Sequence, residues 1–300
     1  MTTRRSRLLP AALLTVAVLA TACAPADEDD SAGTTPSPTS SAAGSETASA
    51  DPCAKENLET YEEGTLTIAT DKPAYEPWFV DDAPENGQGF EGAVAKAVYE
   101  QMGFTADEVA WVRVPFNNVF KPTAKNWDFD INEFSITEKR KAAVDFSSPY
   151  YDVSQAVVTT KGSEADGVTT LAGLQDLTLG AQVGTTSFQA IQDVVAPNKK
   201  PRVYNSNNDV VKALENGQVD ALVTDLPTAF FMAAAQLSKG RIVGQLPATS
   251  GTPEQFGLVL DKDSPLTDCV SQAVDALRAD GTLDQLVDEW LSQGGAPVLS

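Results

Sequence analysis

From residue 64 onward, short apolar runs alternate with stretches whose apolar residues recur every three or four positions. Thr65–Thr70 (TLTIAT) predicts a buried strand, and Val94, Ala97, Val98 and Met102 place one apolar face on a helix over Phe90–Met102. Strands are predicted at Val109–Val114 and Phe129–Asn132, with a short helix over Val119–Lys125 between them. The pattern then repeats. Leu177–Ala181 is a strand, Ser187–Val195 a helix, Val203 part of a short strand, Asn208–Asn216 a helix and Asp220–Thr224 a strand. Pro227 suits the first turn of the helix Thr228–Leu237. Ile242–Leu246 and Phe256–Leu260 read as strands, and helices over Cys269–Arg278 and Leu283–Leu291 precede Gly294-Gly295. Such alternation argues for a mainly parallel sheet covered on both faces. Its repetition predicts two α/β lobes, with Gln155–Thr160 and Leu246–Gln255 as the crossings. A single larger α/β domain is the alternative that periodicity leaves open.

The first residues follow another logic. Leu8–Ala22 is an apolar run preceded by Arg4, Arg5 and Arg7, and it is shorter than the roughly 20 residues a membrane-spanning helix needs. Residues 1–22 therefore read as an export signal. The run Leu19-Ala20-Thr21-Ala22-Cys23 resembles a bacterial lipobox, with Ala20 where a larger aliphatic residue is commoner. That resemblance implies a lipid on Cys23; the alternative is a secreted protein with a chance cysteine. Ala24–Ala50 holds no aromatic residue and no aliphatic residue larger than alanine, so it cannot bury enough apolar surface to offset its ordering entropy. Residues 23–52 are expected to be a lipidated, disordered tether. Lobe 1 is assigned to residues 53–155 and 251–300, and lobe 2 to residues 156–250.

Charge and cysteine content narrow the chemistry. The chain carries 42 acidic against 21 basic residues, a formal charge of −21, which disfavours nucleic acid and anionic membrane surfaces as partners. It contains no histidine and no paired-cysteine metal spacing, so no cofactor or metal is expected and His-based triads are excluded. Of three cysteines, Cys53 and Cys269 remain as an even pair in an exported chain and are predicted to form one disulfide.

Polar groups collect where the predicted strands end, the place at which open α/β sheets bind ligands. After the first strand, Asp71-Lys72-Pro73-Ala74-Tyr75-Glu76-Pro77-Trp78 presents Tyr75 or Trp78 as a pocket wall, or as caps on the core. Phe116, in Pro115-Phe116-Asn117-Asn118, could form the opposite wall. In Asn132–Arg140, alternation sends Glu133 and Ser135 to one side. Arg140 could grip a carboxylate through its bidentate fork, or pair at the surface with Glu138 or Asp145. Thr185 and Thr186 join a strand to a helix, as anion contacts or as plain caps. Asp225 could receive an ammonium group or cap the helix that follows it.

The ordered blocks TLTIATDKPAYEPW, GFEGAVAKAVYEQMGF, DFDINEFSITEKRKAAVDFSSPYY, LGAQVGTTSFQAI and GQVDALVTD resemble the bacterial extracellular solute-binding proteins of the polar amino-acid ABC-importer family. The resemblance covers Gly64–Leu291 and implies a two-lobed periplasmic-binding-protein-like fold with the ligand in the cleft between the lobes. It implies an amino acid as ligand, a membrane permease as partner, a lipid-anchored place on the outer face of the cell membrane, and a monomer. By resemblance, Tyr75 and Phe116 sandwich the ligand, while Arg140 takes its α-carboxylate with Ser135 and Thr186. Asp225 takes the α-amino group, and Asp71 reaches the ligand's side chain.

Two departures stand out. One residue is inserted between Asp71 and Tyr75, and Glu133 stands where the family commonly has a small or amide residue. Unpaired buried carboxylates are costly, so leftover Asp71 and Glu133 favour a cationic side chain on the ligand. If Lys72 neutralises one of them, a neutral ligand such as glutamine fits. A dehydratase-like enzyme using Glu133 as general acid or base, and a ligand-sensing lipoprotein, are the competing functions.

Overall fold

The computed structural model describes residues 51–248, 251–291 and 294–300. The predicted leader, Cys23 and the tether up to residue 50 lie outside the described residues. In chain order the elements are β1 (Leu66–Thr70), α1 (Phe90–Gln101), β2 (Val109–Arg113), β3 (Phe129–Asp130), α2 (Glu138–Lys141), β4 (Asp145–Phe146), β5 (Tyr151–Val153) and β6 (Gln155–Thr160). There follow α3 (Leu171–Leu174), β7 (Leu179–Gln182), α4 (Thr186–Ala190), β8 (Arg202–Tyr204), α5 (Asn207–Glu215), β9 (Ala221–Asp225), α6 (Leu226–Phe231) and β10 (Gly240–Gln245). The chain closes with β11 (Glu254–Phe256), β12 (Val259–Leu260), α7 (Thr267–Ala279) and α8 (Thr282–Trp290).

Two five-stranded sheets form the two lobes. Lobe 1 has the order β2-β1-β3-β12-β4 and lobe 2 the order β10-β6-β9-β7-β8. Both are mixed rather than mainly parallel: β1 pairs parallel with β2 and β3, and β7 with β8 and β9, while β12 and β6 run antiparallel to their neighbours. The reason is the path between lobes. β6 and β12 follow directly on the antiparallel ribbon formed by β5 and β11, with no helix between to reverse their direction.

Every residue of β1 is buried, as expected for a strand with both faces covered. On one face Ile68, Phe129 and Ile131 pack with Phe90, Val94 and Val98 of α1 and with Val270, Val274 and Leu277 of α7. On the other, Ala69 and Val259 meet Phe116, Val119, Trp127 and Phe134. Lobe 2 is likewise covered by Leu174, Ile191 and Val195 on one side and by Val210, Leu214 and Met232 on the other. α1 starts directly after Gly89, where φ is 86° and a Cβ would lie 2.5 Å from the Trp78 carbonyl oxygen, so a side chain there would break the approach of the first loop. Cys53 and Cys269 form a disulfide with a Cα–Cα distance of 5.2 Å, fastening the segment before β1 to α7.

Three segments differ from expectation. Val119–Lys125 is not a helix: a 3₁₀ turn covers Phe116–Asn118, and Lys125 Nζ donates to the carbonyl oxygens of Val119 and Lys121, closing the loop with a side chain instead of a backbone ladder. The run Phe256–Leu260 is divided between β11 and β12, with Gly257 pressed against Ile136 at the change of sheet. The C-terminal tail, assigned by its sequence to lobe 1, packs on lobe 2. Val298 bridges Gln245 in parallel, and Leu299 is buried with Leu246 and Val223.

Candidate functional site

The cavity between the lobes is lined from lobe 1 by Asp71, Tyr75, Phe116, Glu133 and Arg140, and from lobe 2 by Thr185, Thr186 and Asp225. Ser135 stands behind it, buried, with its Oγ 3.1 Å from Thr186 Oγ1 across the cleft. All nine sequence-predicted ligand residues thus converge on one region.

Arg140 is 9 % exposed. Its guanidinium donates to the carbonyl oxygens of Ser135 at 2.7 Å and Gly184 at 3.1 Å, and forms no salt bridge among the described residues. It lies over the rings of Phe116 and Phe120, 5.4 Å and 4.7 Å from their centroids, an attraction strengthened by desolvation. Phe116 in turn stacks on Phe134 at 5.0 Å. The aromatic wall therefore also supports the arginine. Burial lowers the guanidinium pKa to about 10, with Asp225 and Glu254 opposing the shift. The arginine stays charged at neutral pH without a carboxylate partner.

Asp71 accepts from the backbone amides of Lys72 at 2.6 Å and Phe116 at 3.1 Å, while burial raises its pKa. Its main-chain oxygen accepts from Arg113, which also pairs with Asp82. Lys72 is exposed and forms no salt bridge among the described residues. Tyr75 is half-buried between Asp71 and the Asn208 backbone, and burial lifts its phenol to about 12. Trp78 belongs to the core: 1 % exposed, edge-on to Phe90, Tyr151 and Phe256, it reaches lobe 2 through Nε1, which donates to Thr228 Oγ1 at 2.8 Å.

On lobe 2 the two threonines divide their work. Thr185 caps α4, accepting from the Phe188 amide and donating to the Gln182 carbonyl, which leaves Thr186 to face Ser135. Asp225 precedes α6 but makes no cap hydrogen bond; its Oδ1 accepts from Gln155 Nε2 at 2.7 Å. Burial, and then the neighbouring Glu254, raise its pKa to about 7. Sequence reasoning missed Gln155, Glu254, Glu91 and Thr228. A glutamine opening the apolar run of β6 is the one signal that could have been read; Gln155 Nε2 also lies 3.3 Å from Glu254.

The lobes meet closely at Gly184, where φ is 79° and a Cβ would fall 2.1 Å from Asn117 Oδ1. Asn117 also donates to the Val183 carbonyl at 3.3 Å. Gly184→Ala is expected to weaken ligand binding several-fold and to destabilise the protein by about 1 kcal/mol, because alanine is strained at positive φ. Titration and melting of G184A and of G184A/N117A check this. Recovery of affinity but not stability in the double variant assigns the binding loss to the cross-cleft clash, and unchanged affinity in G184A alone rules that clash out.

A model of the bacterial extracellular solute-binding proteins, family 3, matches residues 66–293. Among curated relatives, the chain is 28% identical to the ABC transporter glutamine-binding protein GlnH of Bacillus subtilis, over 71% of this chain and 77% of that one. It is 29% identical to the ABC transporter arginine-binding protein 1 of Escherichia coli, over 68% and 82%. Among solved structures, an ancestral arginine-binding protein bound to arginine superposes with a TM-score of 0.64 at 29% identity, over 76% of this chain and 99% of that one. Two mixed-sheet lobes, an antiparallel ribbon between them, and a match over most of the chain agree: this chain belongs to the bacterial extracellular solute-binding proteins, family 3.

Proposed function

We propose that the chain captures an amino acid outside the cell and delivers it to an ABC permease, held to the outer face of the membrane by a lipid on Cys23. The observation that carries the reading is Arg140, a buried cation with two carbonyl acceptors and no carboxylate in salt-bridge contact among the described residues, set in the same cavity as Asp225. An α-carboxylate on Arg140, assisted by Ser135 and Thr186, and an α-ammonium on Asp225 compensate both groups. A zwitterion suits such a cleft better than an ion of either sign. Tyr75 and Phe116 form the walls, and Asp71 receives the far end of the ligand's side chain.

A basic amino acid is favoured because the Asp71 carboxylate is met by two backbone amides and by no side-chain cation within salt-bridge distance among the described residues. A neutral polar side chain such as glutamine's is the second reading. Arg113, at Asp71's main-chain oxygen, already acts to lower the Asp71 pKa and weakens the demand for a further cation. The relatives above are named as binding proteins, in keeping with a non-catalytic role.

The test is the melting temperature of the protein against the common amino acids plus ornithine and citrulline. A ligand that binds only the folded state raises stability according to its concentration relative to Kd. Arginine, lysine or ornithine is expected to give the largest shift. A shift confined to glutamine or small neutral amino acids would replace the basic reading with the neutral one, and no shift at all would remove the amino acid as ligand.

A further inference from the structure

Glu133 serves both lobes. Its amide donates to Glu91 Oε1 at 2.6 Å, inside lobe 1, from a backbone with φ of 51°. That left-handed conformation costs a residue bearing a Cβ on the order of 1 kcal/mol, so its side chain is expected to repay the strain. The carboxyl crosses the cleft: Oε2 accepts from Thr228 Oγ1 at 2.8 Å, and the group faces the Asp225 carboxyl in the same cavity. Thr228 is itself fixed by Trp78 Nε1. An acid from lobe 1 is thereby held against an acid from lobe 2, inside the cavity.

We propose that Glu133 is a specificity-determining residue: with Asp225 it forms a two-carboxyl grip for a primary ammonium group, and that ammonium replaces one proton which the two carboxyls share in the ligand-free protein. This rests on the amino-acid reading above. Two carboxylates in contact and out of water cannot both remain ionised, so one proton bridges them. A primary ammonium brings a full positive charge and three donors, enough for both carboxylates and one further acceptor. An N-methylated amine loses donors and leaves a buried acceptor unpaired.

The groups facing the pair leave it short of cations. Glu91 on α1 bonds Tyr150 and the Glu133 amide, Glu254 on β11 shares Gln155 with Asp225, Tyr75 comes from the first loop, and Arg140 is the one nearby cation among the described residues. Burial first, and neighbouring carboxylates second, raise the Glu133 and Asp225 pKa values, that of Asp225 to about 7. The sign follows. The ligand-free form holds the shared proton and the complex does not, so binding strengthens as pH rises and levels off once the ligand-free pair has itself given up that proton. One proton per ligand corresponds to about tenfold in affinity per pH unit below that point.

Titration calorimetry on the whole protein tests this, using the amino acid that gives the largest melting shift and its Nα-methyl form. Titrations at about pH 5.5 and about pH 7.5, in two buffers of different ionisation enthalpy, count the protons exchanged. Wild type is expected to release close to one proton at the lower pH, to bind more tightly at the higher, and to penalise the N-methyl ligand at least about tenfold. Glu133→Gln is expected to bind more weakly, with less proton release and a shallower pH slope than wild type and a smaller N-methyl penalty. Unchanged proton release in E133Q overturns the assignment, and so does a wild type that releases none, whatever the variant does. Absence of any response to the common amino acids overturns the underlying reading, and this assignment with it.

Discussion

Arg140→Ala is expected to reduce amino-acid affinity by about thirtyfold to several thousandfold, since removing one member of a buried, hydrogen-bonded charge pair typically costs about 2–5 kcal/mol. The loss has two sources. The α-carboxylate would be buried without its fork, and the carbonyls of Ser135 and Gly184 would lose their shared donor. Arg140→Lys should recover little, because an ammonium cannot span two carbonyls, two rings and a carboxylate with planar geometry. Calorimetry with the ligand found by melting measures the loss, and melting of the free protein shows how much is structural. Affinity in R140A within about threefold of wild type would remove Arg140 from the carboxylate site.

The second large effect is on stability. Changing both Cys53 and Cys269 to serine is expected to destabilise the fold by about 2–5 kcal/mol, towards the upper end because the bridge spans a sequence separation of 216. At about 2–4 °C per kcal/mol for a chain of this size, the melting temperature should fall by roughly 4–20 °C. Ligand affinity should change little, because both cysteines lie on the segment before β1 and on α7, and neither lines the cleft. Melting with and without a strong reductant is the direct measurement. An unchanged midpoint after full reduction would mean that the chain-entropy contribution is absent.

How far the sequence could be read depended on range. β1 and α1 were legible because their burial patterns are local: a wholly apolar run, and apolar residues at helical spacing. Asp225 and Phe116 were readable as candidates because each stands at or just after a strand end, and Arg140, on α2, because it sits within a block that resembles a known pattern. Glu91 was not. An acid in a helix's first turn is an ordinary response to the helix dipole, and nothing nearby in sequence shows that its partners are Tyr150 and the Glu133 amide. The reach of Glu133 was half read: its carboxyl was expected beside a ligand side chain and instead meets Thr228 and Asp225. The mixed sheets were missed for a similar reason. Strand direction depends on where the chain enters a lobe, and a periodicity argument carries no direction. Lobe 2's two helices that widen into π-helical turns, at Ile191–Val195 and Met232–Gln236, leave no mark in the spacing either.

The C-terminal tail alters the mechanics of the molecule. With α8 on lobe 1 and Val298 and Leu299 on the lobe 2 sheet, the chain connects the lobes a third time, beside the β5–β11 ribbon. Two parallel struts can still shear and twist. A third, anchored at the edge strand β10, ties down a different part of the lobe 2 sheet from the one that the ribbon holds. Any swing of one lobe against the other must therefore either carry the tail along or pull Leu299 out of its apolar seat beside Leu246 and Val223.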